Sequence, residues 1–169
     1  MHNIVVHNEI AETNEVHLDD QVCFAVYAAF RTITGAYRTV LDEIGITYPQ
    51  YLTLMTLWDH DGASIGELGR RLQLDSGTLS PLVRRLESQG LVRRAPCPTD
   101  ERRVLVHLTD AGWAVRAKAV IIQREFATRV ALTPQELATL RSLARKLALL
   151  DPAGTDDTAG PCLTEGPPR

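Results

Sequence analysis

The chain has 169 residues, which is long enough for one domain with a sizeable buried core and short for two. Hydrophobic residues make up 44% and charged residues 23%, as in ordinary globular proteins, and no apolar run approaches the roughly 18 to 20 residues that cross a bilayer. The net charge of −3 is uneven, since residues 62–108 hold eight arginines against five acids, so the acidic total does not exclude a nucleic-acid partner.

The amino-terminal residues 1–18 are expected to be flexible, and they lack the basic and apolar regions of a signal peptide. We therefore expect a cytoplasmic protein with no membrane association. The three cysteines are far apart and odd in number, so each is expected as a free thiol. The five histidines show no ligand spacing, so neither a metal nor a cofactor is expected.

Residues 19–61 predict two helices. Apolar residues recur at helical spacing from about Asp19 to Ile44, and Gly45 follows as a stop signal. Pro49 then opens a second helix, which ends near Asp61.

Residues 62–108 predict a helix-turn-helix followed by a β-hairpin, which together form a winged helix-turn-helix. Ser64 is suited to cap the first short helix, with Glu67 completing a capping box. Asp75 is suited to cap the second, which Gly90 ends.

The second short helix has the pattern of a DNA-recognition helix. Four apolar residues, Leu79, Leu82, Val83 and Leu86, fall within about 100° of arc at helical spacing. The remaining face is small, hydroxylated and basic, so it could lie close to DNA. The candidate DNA contacts on this helix are Ser76, Thr78, Ser80, Pro81, Arg84 and Arg85. Because an interior proline breaks a backbone hydrogen bond, the helix either starts near Thr78 or is kinked at Pro81.

The hairpin predicts a wing. Short strands over residues 91–94 and 103–108 flank a connection rich in turn formers. An arginine at such a tip could enter a narrow minor groove, although a solvated turn is the alternative. The candidate DNA contacts in the wing are Arg94, Asp100, Arg102 and Arg103.

Residues 109–150 predict two further helices that serve dimerisation. Thr109 caps a long helix to about Thr128, and Thr133 opens a final one with a leucine stripe. Residues 151–169 are rich in Pro, Gly, Asp and Thr and are expected to be disordered. The expected fold is mainly α with a small β-hairpin, in which a winged helix-turn-helix joins a helical dimerisation domain built from both chain ends.

This combination resembles the MarR family of dimeric winged-helix repressors over about residues 19–150. The segment DERRVLVHLTDAG matches that family's pattern of Asp, any residue, Arg, five residues and then Leu-Thr. The segments DDQVCFAVYAAFR, ITYPQYLTLMTLW and LDSGTLSPLVRRLE resemble its organic-hydroperoxide-sensing subgroup. The resemblance implies a homodimer that binds a palindromic double-stranded DNA operator and is not an enzyme.

In that subgroup a cysteine near the start of the first long helix senses organic hydroperoxide while hydrogen-bonded to tyrosines of the partner subunit. Cys23 matches the sensing cysteine, and Tyr27, Tyr37 and Tyr48 match tyrosines around it. Cys23, Tyr27 and Tyr37 share one helix face, yet fourteen residues of continuous helix separate Cys23 from Tyr37 by about 21 Å. An antiparallel partner helix across a two-fold axis could bring the two side chains together.

A resolving thiol would convert oxidised Cys23 into a disulfide. The subgroup's two-cysteine members carry a second cysteine in the helix after the wing, and residues 109–150 contain none. Cys97, Cys162 or a small-molecule thiol remain as the candidates.

Two other functions remain open from the sequence. The first is a repressor that an aromatic ligand releases in place of oxidation. The second is a thiol peroxidase that uses Cys23 catalytically, against which no general base neighbours that cysteine in sequence.

Overall fold

The computed structural model describes residues 16–129 and 132–148 of the chain. Residues 1–15 and 149–169 lie outside that part, and with them most of the two segments expected to be flexible, as well as Cys162. The described part is mainly helical with a small antiparallel sheet, as predicted. After a 3-10 turn at Leu18–Asp20, its elements are α1 (Val22–Glu43), α2 (Tyr48–Asp59), β1 (Ala63–Ser64), α3 (Ile65–Leu72), α4 (Ser76–Ser88), β2 (Val92–Cys97), β3 (Asp100–Leu108), α5 (Asp110–Arg129) and α6 (Pro134–Ala148).

The predicted caps of the helix-turn-helix are confirmed. Ser64 Oγ accepts a hydrogen bond from the backbone N–H of Glu67, and the Glu67 carboxylate accepts one from the backbone N–H of Ser64 at 2.7 Å. The Asp75 side chain accepts from the N–H of Thr78 at 2.9 Å. Because α4 begins at Ser76, Pro81 lies inside the helix, where its missing N–H leaves one intrahelical hydrogen bond unmade.

The sheet has three strands rather than the predicted two, in the order β1-β3-β2 with antiparallel pairing. The unpredicted strand β1 is two residues long, which is too short to show an alternating pattern. The hairpin strands extend further towards the tip than predicted, and a register shift at Pro96/Cys97 brings Cys97 opposite Asp100. The wing is therefore a nearly continuous ribbon joined to the start of α3 through β1.

The core lies where α2, α3, α4 and the sheet meet. Leu54, Leu57, Leu68, Leu79, Val83, Leu86 and Val106 are fully buried there. The first turn of α5 closes this core, because the indole N–H of Trp58 donates to the carbonyl of Gly112 at 3.1 Å. A Cβ on Gly112 would stand 2.1 Å from the carbonyl oxygen of Leu91, so only glycine permits this approach.

Large apolar side chains remain exposed on the helices at both ends of the described chain. On α1 and the turn before it these are Leu18, Val22, Val26, Tyr27 and Phe30, and on α6 they are Leu140, Leu143 and Leu147. None of the described residues of α6 is buried. No helix of the described part is both long and apolar enough to cross a membrane.

Candidate DNA-binding face and cysteine site

The outer face of α4 is polar and exposed, because the apolar face of the helix is buried in the core. Leu79, Val83 and Leu86 are fully buried, whereas Arg84 and Arg85 on the opposite side are exposed. The exposed first turn of α4 carries Ser76 and Thr78, and its Asp75 cap fixes the direction in which the helix starts.

The wing and the first half of α4 border a groove of about 440 Å³. The groove unites five of the ten residues predicted to contact DNA. Its polar and charged lining comprises Ser64, Arg70, Ser76, Ser80, Asp100, Arg102 and Arg103. Basic and hydroxyl side chains along one groove are the donors that bind phosphate oxygens.

Arg102 is exposed near the tip of the wing. Its backbone N–H donates to Asp100 Oδ1 at 3.1 Å, so the aspartate orders the turn from which this arginine projects. The guanidinium is therefore presented to solvent from an ordered backbone.

Two other predicted DNA contacts are engaged within the protein. Arg94 is paired with Glu87 of α4 at 2.6 Å, and its backbone N–H donates to the same carboxylate at 3.0 Å. Arg103 donates to Ser64 Oγ at 3.2 Å and lies 3.5 Å from Glu67 Oε1. The contacts of Arg94 attach β2 to α4, and those of Arg103 attach β3 to the start of α3.

Arg70 lines the groove but was not among the predicted contacts. It lies in the last turn of α3, a helix on which the sequence predicted no DNA contact. The arginine pair at 70–71 was the available sequence signal. Which of the two arginines faces the groove depends on how α3 packs against the sheet.

Cys23 is the free cysteine of the described residues, and it is exposed in the first turn of α1. Tyr27 is one turn further along and also exposed, with the Arg31 guanidinium 5.8 Å from its ring centre. Because α1 runs unbroken from residue 22 to 43, the rise of about 1.5 Å per residue places Tyr37 about 21 Å from Cys23 along the helix. The structure does not bring these two predicted partners together within one chain.

Tyr37 and Tyr48, in contrast, are brought together. Their ring centres are 5.2 Å apart, and the ring of Phe126 of α5 stacks on that of Tyr37 with a centre-to-centre distance of 5.0 Å. The sequence analysis missed Tyr51, whose ring centre lies 5.8 Å from that of Tyr37. Its spacing of three residues from Tyr48 on the same helix was the available signal.

The phenols of this cluster are held in the protonated form that donates hydrogen bonds. Burial, followed by the neighbouring Tyr48, raises the pKa of Tyr37, and burial raises the pKa of Tyr48. Burial together with Tyr37 and Tyr48 raises the pKa of Tyr51 to about 12. Tyr37 and Tyr48 are only half-buried, so their hydroxyls could serve an anion that arrives from outside this chain.

The expectation of a free thiol at Cys97 is wrong. Cys97 ends β2, is buried and is disulfide-bonded. The other candidate resolving residue, Cys162, lies outside the described residues.

Comparison with known sequences and structures places this chain among transcriptional regulators. The pattern described as "MarR family" matches residues 46–104. The chain is 41% identical over 137 residues to the organic hydroperoxide resistance transcriptional regulator of Bacillus subtilis (strain 168), which covers 81% of this chain and 91% of the relative.

Two solved structures have a similar fold. The structure of reduced AbfR bound to DNA is 31% identical, with a TM-score of 0.68, over 78% of this chain and 90% of that one. The PcaV transcriptional regulator of Streptomyces coelicolor, in complex with its natural ligand, is 30% identical with a TM-score of 0.73, over 80% of this chain and 97% of that one.

Proposed function

We propose that this chain, which belongs to the MarR family of DNA-binding transcriptional regulators, is a dimeric repressor. In this proposal the repressor is released from its operator when organic hydroperoxides oxidise Cys23. One observation carries the proposal. A free, exposed thiol stands in the first turn of an unbroken helix, and a pair of half-buried phenols that suits a thiolate stands about four turns away.

The proposed DNA contacts follow from the groove between α4 and the wing. The hydroxyls of Ser76, Thr78 and Ser80 suit phosphate oxygens or base edges, and Pro81 allows close approach to the duplex. Arg84, Arg85 and Arg102 supply positive charge, and Asp100 orders the wing tip. A two-fold dimer would place two α4 helices on half-sites about one helical turn apart.

The proposed homodimer follows from the exposed apolar side chains of α1 and α6. A monomer would leave Val22, Phe30 and Leu143 at least half exposed, whereas a second copy would cover them. An antiparallel arrangement of two α1 helices would also carry Cys23 of one subunit to Tyr37 and Tyr48 of the other. The same interface would therefore bury the apolar surface and complete the cysteine site.

The chemistry begins with the thiolate of Cys23. The thiolate is the form of cysteine that acts as a nucleophile, and the phenols of the partner subunit would donate hydrogen bonds to it. The sulfur attacks one peroxide oxygen, the O–O bond breaks, and the other oxygen leaves with a proton as an alcohol. Cys23 becomes a sulfenic acid, which a second thiol attacks to form a disulfide and release water.

The second thiol in this proposal comes from a small molecule. Cys97 is already disulfide-bonded, so it has no thiol to offer in this state.

The test is a gel shift on the DNA upstream of the protein's own gene, with and without cumene hydroperoxide, for wild type and Cys23→Ser. Wild type should bind and then be released, whereas Cys23→Ser should bind and stay bound, because serine cannot be oxidised in this way. Release of Cys23→Ser by the peroxide would contradict the redox proposal.

A ligand-released repressor is the second candidate, and a separate observation favours it. A groove of 550 Å³ lies beside the α1–α2 turn and is lined by Arg31, Arg38, Thr47 and Tyr48 among others. Its size suits a small molecule, and its arginines suit a carboxylate. The similarity to PcaV, solved with its natural ligand, supports the same reading. Release by an aromatic acid in the absence of peroxide, retained in Cys23→Ser, would favour this candidate.

A further inference from the structure

Arg103 differs from the other arginines of the wing in what its guanidinium contacts. Its Nη2 donates to Ser64 Oγ at 3.2 Å and lies 3.5 Å from Glu67 Oε1. The Arg103 side chain is only 17% exposed, whereas Arg102 beside it is an exposed residue.

The opposite environments of these neighbours follow from strand geometry. Successive side chains of a strand point to opposite faces, so Arg103 turns towards the helices when Arg102 turns outward. The antiparallel pairing of β1 with β3 places Ser64 opposite Leu105, two residues from Arg103 and on the same face. Ser64 is also the cap of α3, so Arg103 reaches from the wing to the first turn of the helix-turn-helix.

The guanidinium of Arg103 is stable beside the amino terminus of α3 because Glu67 is charged. The amino terminus of a helix carries partial positive charge and disfavours a cation. The Glu67 carboxylate compensates, and it is held there by contacts of 2.7 Å to the backbone N–H and the hydroxyl of Ser64. Burial alone would raise the pKa of Glu67, but the Ser64 hydrogen bonds and then the charges of Arg103 and Arg70 outweigh it and leave that pKa lowered.

We propose that Arg103 is a positioning residue, which holds the wing against the start of α3 through Ser64 and Glu67 so that Arg102 is presented to DNA, and that it does not itself bind a phosphate. A phosphate contact would require the guanidinium to leave this site. Glu67 would then remain partly buried with one fewer positive neighbour, in a groove that faces a polyanion.

The first experiment needs no DNA. Hydrogen exchange of the full-length protein is compared for wild type, Arg103→Gln and the matched control Arg102→Gln. Arg103→Gln should speed exchange of the wing amides about two- to fivefold, the range expected for a pair of this exposure, and leave the amides of α2 unchanged. Arg102→Gln should leave both unchanged, since its side chain projects into solvent.

The second experiment measures binding to a labelled duplex of the upstream DNA by fluorescence anisotropy at several salt concentrations. Removing one phosphate contact lowers the slope of log affinity against log salt by about 0.9, which is expected for Arg102→Gln. Arg103→Gln should weaken binding, and the loss should largely vanish in a Glu67→Gln background. Glutamine can still complete the capping box, so Glu67→Gln removes the charge and keeps the cap.

The outcomes separate the two roles of Arg103. Faster wing exchange together with a loss of affinity that depends on Glu67 supports positioning. Unchanged wing exchange, or a loss of affinity that is the same in the Glu67→Gln background, would overturn it. Failure of wild type to bind the duplex would bear on the choice of operator, and the exchange experiment would still decide the role of Arg103.

Discussion

Gln89, at the carboxyl end of α4, donates from its side-chain amide to the backbone carbonyl of Gly45 at 2.7 Å. The same side chain accepts from Gln50 of α2 at 3.4 Å. Gly45 lies in the turn between α1 and α2, three residues before Tyr48. The helix proposed to read DNA is thus hydrogen-bonded to the corner that carries a proposed sensing tyrosine.

We expect Gln89→Ala to weaken the link between oxidation and DNA release. The corner could then shift without moving α4, so the oxidised variant should retain more DNA binding than oxidised wild type. The measurement is anisotropy of a labelled operator before and after hydroperoxide, with Cys23 oxidation followed by mass spectrometry. Ser88→Ala is the matched control, because the Ser88 hydroxyl donates to the carbonyl of Arg85, a residue of α4 itself. Equal release by Gln89→Ala and wild type would contradict this coupling.

Tyr37→Phe and Tyr48→Phe should each slow oxidation of Cys23 by roughly tenfold, since a hydrogen bond to a charged group contributes about 1.5 kcal/mol. The rings and their stacking are kept, so DNA affinity before oxidation should not change. The rate is measured by stopped-flow consumption of the thiol.

Tyr51→Phe is the control for these two variants. The Tyr51 side chain is 1% exposed, so a thiol of another subunit does not reach it, and its hydroxyl has no hydrogen-bond partner within the described part of the chain. Its removal should leave the oxidation rate unchanged and should not lower the melting temperature. A rate as slow as that of Tyr48→Phe would place Tyr51 in the sensing site.

Leu143→Glu should dissociate the proposed dimer. Leu143 is 53% exposed within one chain, so the substitution costs a monomer little. In a dimer it would remove about 1.5–3 kcal/mol of apolar burial per subunit and place a charge at the interface. Sedimentation should show a shift to monomer for Leu143→Glu but not for Ser142→Glu, which lies about 100° further around α6. A wild-type monomer at micromolar concentration would contradict the dimer itself.

The stability supplied by Glu67 should disappear in acid. Its pKa in the folded protein is lowered from the ordinary value of 4.5, so the charged form is favoured by folding. The contribution is therefore fully present above pH 4.5 and is lost as the pH falls through the lower folded value. Urea unfolding of wild type and Glu67→Gln should differ at pH 7 and converge only once the pH has fallen below the lowered folded pKa of Glu67. A difference that persists unchanged in acid would show that the charge of Glu67 is not responsible.

The local parts of this fold could be predicted from sequence because their causes are local. The Ser64–Glu67 and Thr133–Glu136 capping boxes each join residues three apart, and both are present. The buried face of α4 follows from helical spacing alone, and Leu79, Val83 and Leu86 are buried as predicted.

The parts that could not be predicted depend on contacts distant in sequence. Strand β1 exists only because residues 63–64 pair with β3, more than forty residues later. The contact of Arg103 with Ser64 spans 39 residues and follows from that pairing, so the sequence pattern alone placed Arg103 among the DNA contacts. The position of Phe126 on Tyr37 likewise depends on how α5 returns to α1.

The unbroken length of α1 between Cys23 and Tyr37 has a genetic consequence if each sensing site is shared between two chains. A Cys23→Ser subunit retains intact tyrosines, and a Tyr48→Phe subunit retains an intact cysteine. A mixed dimer of the two would contain one site with both defects and one site with neither. Co-expression of these two alleles should therefore restore a rapid peroxide response that neither allele provides alone, and this complementation would be impossible if cysteine and tyrosines acted within one chain.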